Sequence, residues 1–467
     1  MSSKEFDFDV AILGAGSGGF AAARTAVAAG LRTALIDGAQ ELGGLCILRG
    51  CMPTKALLYA AEVLHLTNNG PTWGIQPKSV SFDFKRVMER KDEVIKDFAD
   101  YRRHQLDRGK FKLIRAMGHF QDSRTLKLSN GDTLTSGHFV IATGSVIAPS
   151  PLPELGSLDC LTSDTALKLE QLPRSMIVLG GGAVALEFAQ FFARFGVRVT
   201  VVQRSNHVLK GFDEDAATEV ENAFRDEGIE VYTGTRLIGV RRTQDSKEIV
   251  IEHQGNTIGL QAEEVFYALG RVPNIASLAL QSAGVAVDGN RIVTNAHMQS
   301  SAPHIYAAGD CTGLHEIVHV AIQQGEIAAR NIARPEHPQE IDMRLLIEVV
   351  FTDPQIASVG LSERAAREQN LPYLTASYPF NDHGKSIIMN VKHGFVKLLA
   401  DPGSGEILGG TCVGPQAGDL IHEIVAAMHK RMNVQELATL PHYHPTLAEI
   451  WTYPAEELAE KVAHTDQ

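Results

Sequence analysis

Short runs of β-branched and aliphatic residues alternate along the chain with small-residue turns and alanine-rich stretches, the pattern of strand, turn and helix in an α/β protein. The first run, Phe8-Asp9-Val10-Ala11-Ile12-Leu13, reads as a strand and stops at Gly14-Ala15-Gly16-Ser17-Gly18-Gly19. Residues 20–29 then read as a helix and 31–36 as a second strand ending at Asp37. The order recurs once: strand 175–179, turn Gly180-Gly181-Gly182-Ala183-Val184-Ala185, helix 186–195, and strand 197–202 ending at Gln203. Apolar runs before Thr143-Gly144, Gly270 and Gly309-Asp310 read as further buried strands closing on turns, and a helix follows at 318–332. From residue 344 the texture changes to strands at 345–351, 394–400 and 407–413, with helices at 417–430 and 446–462. The expected fold is α/β, with two Rossmann-like dinucleotide-binding domains and an α+β C-terminal domain.

Both repeats carry a phosphate-binding fingerprint in its required strand-turn-helix context. Gly14, Gly16 and Gly19 let backbone approach a pyrophosphate at the helix N-terminus, and Asp37, eighteen residues past Gly19, can accept from a ribose hydroxyl. Gly180, Gly182 and Ala185 repeat the glycine pattern, but the strand-end acid is replaced by neutral Gln203, with Arg204 and Lys210 beyond it. A carboxylate there would repel a 2′-phosphate, whereas two cations can pair with one, so this second site reads as one for NADP(H), with NAD(H) left open. The alternative for Arg204 and Lys210 is an ordinary solvated face. Two dinucleotides in one chain point to hydride transfer between them.

One stretch does not fit the alternation. Gly43-Gly44-Leu45-Cys46-Ile47-Leu48-Arg49-Gly50-Cys51-Met52-Pro53-Thr54-Lys55 sets two cysteines five apart ahead of a helix-like run at 56–62. In a regular helix the rise between them would be roughly 7.5 Å, beyond the roughly 7 Å that a disulfide tolerates. A bond therefore needs a distorted turn, which Gly50 can supply. Strained in that way at a helix N-terminus, a disulfide is easily reduced, because the dipole stabilises the thiolate released. The pair alone is equally compatible with two unrelated buried thiols. Near the C-terminus, Pro441-His442-Tyr443-His444-Pro445-Thr446-Leu447-Ala448-Glu449 offers an imidazole and a carboxylate, although Thr446-x-x-Glu449 also has the form of a helix capping box.

Totals narrow the classes. A chain of 467 residues needs several cores. A net charge of −12 with no basic run argues against nucleic acid, and no apolar stretch reaches the length of a membrane span. A strand starting within a few residues of Met1 leaves no room for a signal peptide, and five cysteines do not make a secreted framework. A reducing, cytoplasmic setting is expected, in which any disulfide is transient.

The Gly-rich βαβ unit, the C-x4-C pair, the second βαβ unit, the Gly309-Asp310 strand end and the His444-Pro445-Thr446-x-x-Glu449 run together resemble the FAD-dependent pyridine nucleotide disulfide oxidoreductases. Dihydrolipoamide dehydrogenase, glutathione reductase and mercuric reductase belong to that family. The resemblance implies an FAD domain in two parts (1–149 and 274–343), an inserted NAD(P) domain (150–273) and a dimerisation domain (344–467). It further implies a homodimer whose active site is shared between subunits.

By the same resemblance, Gly14, Gly16, Gly19 and Asp37 hold FAD, Asp310 binds its ribityl chain, and Gly44, Thr143, Gly144, Gly270 and Gly309 join Gly180 and Gly182 among the cofactor-binding candidates. Cys51 is implied to lie against the flavin and Cys46 to meet the substrate. Lys55 pairs with Glu187 near the flavin in this picture, and His444, oriented by Glu449, is the acid/base. The implied substrate is a small disulfide or dithiol, a lipoyl group on a carrier protein among the candidates. Dihydrolipoamide dehydrogenases resemble the chain at the cysteines and at His444, but typically carry an acid where Gln203 stands. Glutathione reductases share the basic residues at Arg204 and Lys210. Mercuric reductases place Tyr at His444 and end in a cysteine pair, so mercury reduction is disfavoured. Outside this chemistry stand a thiol-independent NAD(P)H-flavin oxidoreductase and a non-catalytic flavin-bound sensor.

Overall fold

A computed structural model of the chain describes residues 5–243 and 245–465. Met1–Lys4, Gln244, Asp466 and Gln467 lie outside them, and with them the termini on which the expectations about a leader and a terminal cysteine pair bear. The chain forms two compact units, one made of Met1–Ala56, Arg86–Pro149 and Gly270–Ile341, the other of Leu57–Lys85, Ser150–Leu269 and Asp342–Gln467.

The first unit is built on a sheet in which Lys112–Ile114, Thr33–Ile36, Phe8–Leu13, Thr133–Ile141 and Ile305–Ala307 lie side by side and parallel. Val10, Ile12, Leu35 and Val140 are fully buried, as a sheet covered on both faces requires. The helices Ser17–Ala28 and Val318–Ala333 pack on it, and they approach closely at two glycines. A Cβ on Gly325 would lie 2.2 Å from the Gly18 carbonyl oxygen, and one on Gly18 would lie 2.9 Å from that of Ala321. Register aligns Leu13 with Ile141 and Ile141 with Ala307. The turns at Gly14, Thr143-Gly144 and Gly309-Asp310 therefore leave the sheet along one carboxyl edge, where α/β sheets bind ligands.

The second unit contains a parallel sheet ordered Glu230–Tyr232, Arg198–Val202, Ser175–Leu179, Glu264–Tyr267, a three-stranded antiparallel meander, and a five-stranded antiparallel sheet. In the last, Ile347–Val350, Gln355–Gly360, Ile407–Gly414, Phe395–Ala400 and Leu374–Pro379 lie in that order. Helices Ala417–His429 and Thr452–Thr465 close its core around the fully buried Trp451. Lys397, buried in this sheet, is met by Asp213, Asp215 and Glu363 at 2.8–3.0 Å, so its charge is compensated inside the unit. The helix expected from residue 446 instead begins at Thr452, after a 3-10 turn at Ala448–Trp451. No helix among the described residues is long and apolar enough to cross a membrane.

Candidate active site

The first glycine turn is shaped by close approach. Gly14 has φ +101° and a Cβ there would sit 2.3 Å from the Ala142 carbonyl oxygen, while one on Gly19 would fall 1.8 Å from that of Gly14. Gly16, by contrast, faces open space at the start of the helix. Asp37 ties the turn down: one carboxylate oxygen accepts from the Ala15 N–H at 2.7 Å and the other from the Ala39 N–H at 2.8 Å. At the neighbouring turn, the Thr143 hydroxyl is buried without a hydrogen-bond partner. Gly144 and Gly309 both have positive φ, and the Gly309 N–H donates to Gln324 at 2.7 Å. Asp310 accepts from the Ser145 hydroxyl at 2.7 Å, which in turn accepts from Arg271 at 2.8 Å. Open space at Gly16 at the start of a helix, an orphaned hydroxyl at Thr143 and an anchored carboxylate at Asp310 fit a dinucleotide laid along this edge.

The cysteines sit where two helices meet. Gly44–Leu48 ends at Arg49, and the next helix starts at Cys51 itself. Gly44 has φ +76°, and a Cβ on it would lie 2.7 Å from the Gly16 Cα, so the thiol-bearing helix rests on the nucleotide turn. Gly50 does not take up the left-handed backbone conformation; it is needed for space, since a Cβ would lie 3.1 Å from the Leu45 carbonyl oxygen and 3.3 Å from the Cys46 Cα. Thr54 fastens the junction by donating to the Gly50 carbonyl at 2.8 Å.

The thiols of Cys46 and Cys51 are hydrogen-bonded to each other. That bond, followed by burial, pushes the Cys46 thiol upward, and Lys55 pulls weakly the other way. Cys51, the first residue of its helix, has the dipole in its favour. Cys46 thus keeps its proton until a base takes it. The other three thiols lie elsewhere in the fold. Burial pushes Cys311 up to about 12, raises Cys412 further and raises Cys160.

In the second unit the glycine turn has the same build. Gly180 has φ +120° with its Cβ position 2.3 Å from the Ala268 carbonyl oxygen, Gly182 faces open space, and Ala185 is buried. The Gln203 side chain lies across the turn, 2.9 Å from where a Cβ on Gly181 would be. Arg204 and Lys210 are exposed, and no carboxylate among the described residues pairs with either side chain. Gly270, with φ +110°, belongs to the first unit. Glu187 is buried in the second unit, where its carboxylate accepts from the Phe351 N–H at 3.0 Å, and Lys55 lies in the first, one turn past Cys51.

His444 and Glu449 come together. The imidazole Nδ1 is 2.9 Å from a Glu449 carboxylate oxygen, the ring is 78% exposed and the carboxylate only 11%. A carboxylate on Nδ1 leaves Nε2 as the basic nitrogen, facing outward. With its carboxylate so engaged, Glu449 caps no helix, contrary to the capping-box alternative. The structure adds a second imidazole that sequence reading missed. His383 is fully buried, with Nδ1 2.8 Å from the Ser386 hydroxyl and Nε2 3.2 Å from the other Glu449 oxygen, off the line that a hydrogen bond needs. Nothing in its spacing from His444 signals this, because the two are joined only through the tertiary fold.

Burial holds the His383 imidazole below its ordinary value despite Glu449, and does the same to His65, His138 and His304. The unfolded chain then binds more protons than the folded one once pH falls below an imidazole's usual value of about 6.5. Stability should hold above pH 7 and decline as pH falls through the 6–5 range. Thermal melts across that range should show a falling Tm, less steeply in His383→Gln; a Tm independent of pH would refute it.

Comparison with known proteins agrees with this geometry. Residues 8–325 match the family described as pyridine nucleotide-disulphide oxidoreductase, and residues 347–455 match that family's dimerisation domain. A dihydrolipoyl dehydrogenase of Bacillus subtilis is 33% identical over 457 residues, covering 95% of this chain and 96% of the relative. One of Mycobacterium tuberculosis is 35% identical over 448 residues, with 95% and 96% covered. Among solved structures, LpdA from Mycobacterium tuberculosis superposes with a TM-score of 0.86 at 29% identity, over 96% of this chain and 99% of its own. The HOCl-induced flavoprotein disulfide reductase RclA from Escherichia coli does so at 0.84 and 25%, with the same coverage.

Proposed function

The chain belongs to the pyridine nucleotide-disulphide oxidoreductase family as an FAD-dependent NAD(P)H:disulfide oxidoreductase, and from that premise we propose that Cys46 and Cys51 are its redox-active pair. The observation that carries the reading is the hydrogen-bonded pair of thiols, Cys46 on a helix that packs against the first nucleotide turn at Gly44 and Gly16. Gly14, Gly16, Gly19, Asp37, Thr143 and Asp310 hold the FAD in this reading, with Gly44, Gly144 and Gly309 shaping the cradle. When bound, the flavin passes an electron pair between the nicotinamide nucleotide and the Cys46–Cys51 disulfide.

With both thiols reduced, a base removes the Cys46 proton and the thiolate attacks one sulfur of the substrate disulfide. A mixed disulfide forms and the first substrate thiolate leaves, taking a proton from His444. Cys51 then attacks the Cys46 sulfur, the second substrate thiolate leaves and is protonated, and the Cys46–Cys51 disulfide is restored. Two electrons and two protons have moved to the substrate. Glu449 keeps the His444 ring in the working tautomer. The exposed, carboxylate-oriented imidazole lies in the part matched to the dimerisation domain. That location supports a homodimer in which His444 of the partner subunit serves these thiols. The relatives' names put a lipoyl dithiol among the substrates, and the enzyme can then run toward dithiol oxidation.

For the nucleotide we propose NADP(H), bound at Gly180 and Gly182 with Arg204 and Lys210 on the 2′-phosphate. A neutral Gln203 and two exposed cations, neither with a carboxylate partner among the described residues, support it. Arg204→Glu should raise KM for NADPH by about tenfold or more and leave that for NADH nearly unchanged. Steady-state kinetics with both nucleotides decide this, and equal effects on the two would exclude a phosphate role.

A further inference from the structure

We infer that His383 is a positioning residue of the reaction: its Nε2–H and the His444 ring hold opposite oxygens of the Glu449 carboxylate, and through that carboxylate His383 sets how readily His444 gives up its proton. This rests on the reading of His444 as the acid/base. Glu449 is almost closed to solvent, and among the described residues no Lys or Arg lies within ion-pair distance of it. The partners of its carboxylate are two imidazoles, Nδ1 of His444 at 2.9 Å on one oxygen and Nε2 of His383 at 3.2 Å on the other. A buried carboxylate without a cation depends on such donors to stay ionised.

The tautomer of His383 follows from its second contact. His383 precedes the short helix Gly384–Ile388, and its Nδ1 is 2.8 Å from the hydroxyl of Ser386, which is itself fully buried. A hydroxyl can donate or accept, whereas a carboxylate can only accept. Burial favours the neutral imidazole, which has a single N–H to place. Were it on Nδ1, the Nε2 lone pair would face the Glu449 oxygen; with Ser386 donating to Nδ1, the N–H faces that oxygen instead. The contact is bent, and Nε2 has no other hydrogen-bond partner, so among the described residues Glu449 is the one group it can serve. The same short helix flanks His444, since a Cβ on Gly384 would lie 4.0 Å from the ring's Cε1. Glu449 and His444 face His383 from residues 444–449, and Tyr453 meets it edge-on at 6.2 Å from the helix Thr452–Thr465. Tyr453 stacks on Tyr378, whose hydroxyl donates to the Asp382 carboxylate at 3.1 Å, and Lys385 is the other charged neighbour in sequence. With His383 donating, the charge of Glu449 is divided between two N–H groups, and the His444 proton is held less tightly than a lone imidazole–carboxylate pair would hold it. A group that both takes and returns a proton in each turnover needs that looseness.

The test reads His444 directly in the holoenzyme, as its rate of carbethoxylation by diethyl pyrocarbonate against pH, with the modified residue assigned by mass spectrometry. Only the unprotonated imidazole reacts. His383→Leu, which keeps bulk but removes the donor, should tighten proton binding at His444 about threefold to tenfold and move the midpoint of that profile to higher pH. The acid limb of kcat/KM for a disulfide should move in step, with kcat rather than KM carrying the change. His383→Gln, whose amide can present an N–H at the same place, should return both midpoints toward wild type. Ser386→Ala, which frees the tautomer, should shift them in the same direction as His383→Leu and by less. In a Glu449→Gln background His383→Leu should shift nothing, because the route through the carboxylate is gone. An unchanged modification midpoint in His383→Leu overturns the inference, and so does an equal shift in the Glu449→Gln background. Should His383→Leu fail to retain FAD, the midpoint in Ser386→Ala decides in its place. A shifted modification midpoint beside an unshifted kcat/KM limb would leave the link from His383 through Glu449 to His444 standing and remove His444 from the acid/base role.

Discussion

Cys46→Ser should lower disulfide turnover on the order of a thousandfold or more, because the attacking sulfur is gone and a serine hydroxyl is not ionised at neutral pH. The same variant should still let NADPH reduce an artificial acceptor such as ferricyanide or a quinone at close to the wild-type rate. That split separates an enzyme working through sulfur from one that hands electrons directly off its flavin. If Cys46→Ser kept turnover with the disulfides that wild type reduces, the exchange route would be wrong. If it lost both activities together, the substitution would have harmed something other than the thiol step, and Cys51→Ser would have to be compared. Cys46 is the more telling site because its hydrogen bond to Cys51 and its burial hold it protonated. Its reactivity depends on help from a base, so the second large effect should fall on the residue that supplies it.

His444→Gln should lower kcat/KM for disulfides by on the order of a hundredfold to ten-thousandfold, the range of a lost general acid–base group. Glu449→Gln should cost less, since the imidazole remains and only its orientation is loosened. Sharing of the site between subunits can be read from the same variants. Dimers reassembled from an equal mixture of Cys46→Ser and His444→Gln chains should recover about a quarter of wild-type activity: half the dimers are mixed, and each mixed dimer has one intact site in trans. If thiols and imidazole worked within a single chain, neither variant could repair the other and the mixture would stay inactive.

What could be read from the sequence is what sterics and short range decide. The βαβ units were legible because a close helix-strand turn has no room for side chains at Gly14, Gly19 and Gly180, where a Cβ would fall 1.8–2.3 Å from a carbonyl oxygen. The distorted junction between Cys46 and Cys51 was legible too, but its cause was not. Gly50 was expected to supply an unusual backbone angle, whereas it is required because Leu45 and Cys46 press against it. Around Glu449, the cap spacing of Thr446-x-x-Glu449 left two readings open, and the carboxylate turns to His444, as the resemblance implied, while the helix begins only at Thr452. His383 was invisible for a different reason. It acquires its meaning from a partner far away in the chain, Glu449, and no periodicity encodes such a meeting.

The central claim is that an electron pair passes through the sulfurs of Cys46 and Cys51. It is tested most directly by denaturing the enzyme before and after reduction with NADPH or NADH, alkylating all free thiols and assigning them by mass spectrometry. The chain has five cysteines. The oxidised enzyme should present Cys160, Cys311 and Cys412 alone, and the reduced enzyme those three plus Cys46 and Cys51. Five free thiols before reduction, or the same set in both states, would contradict it.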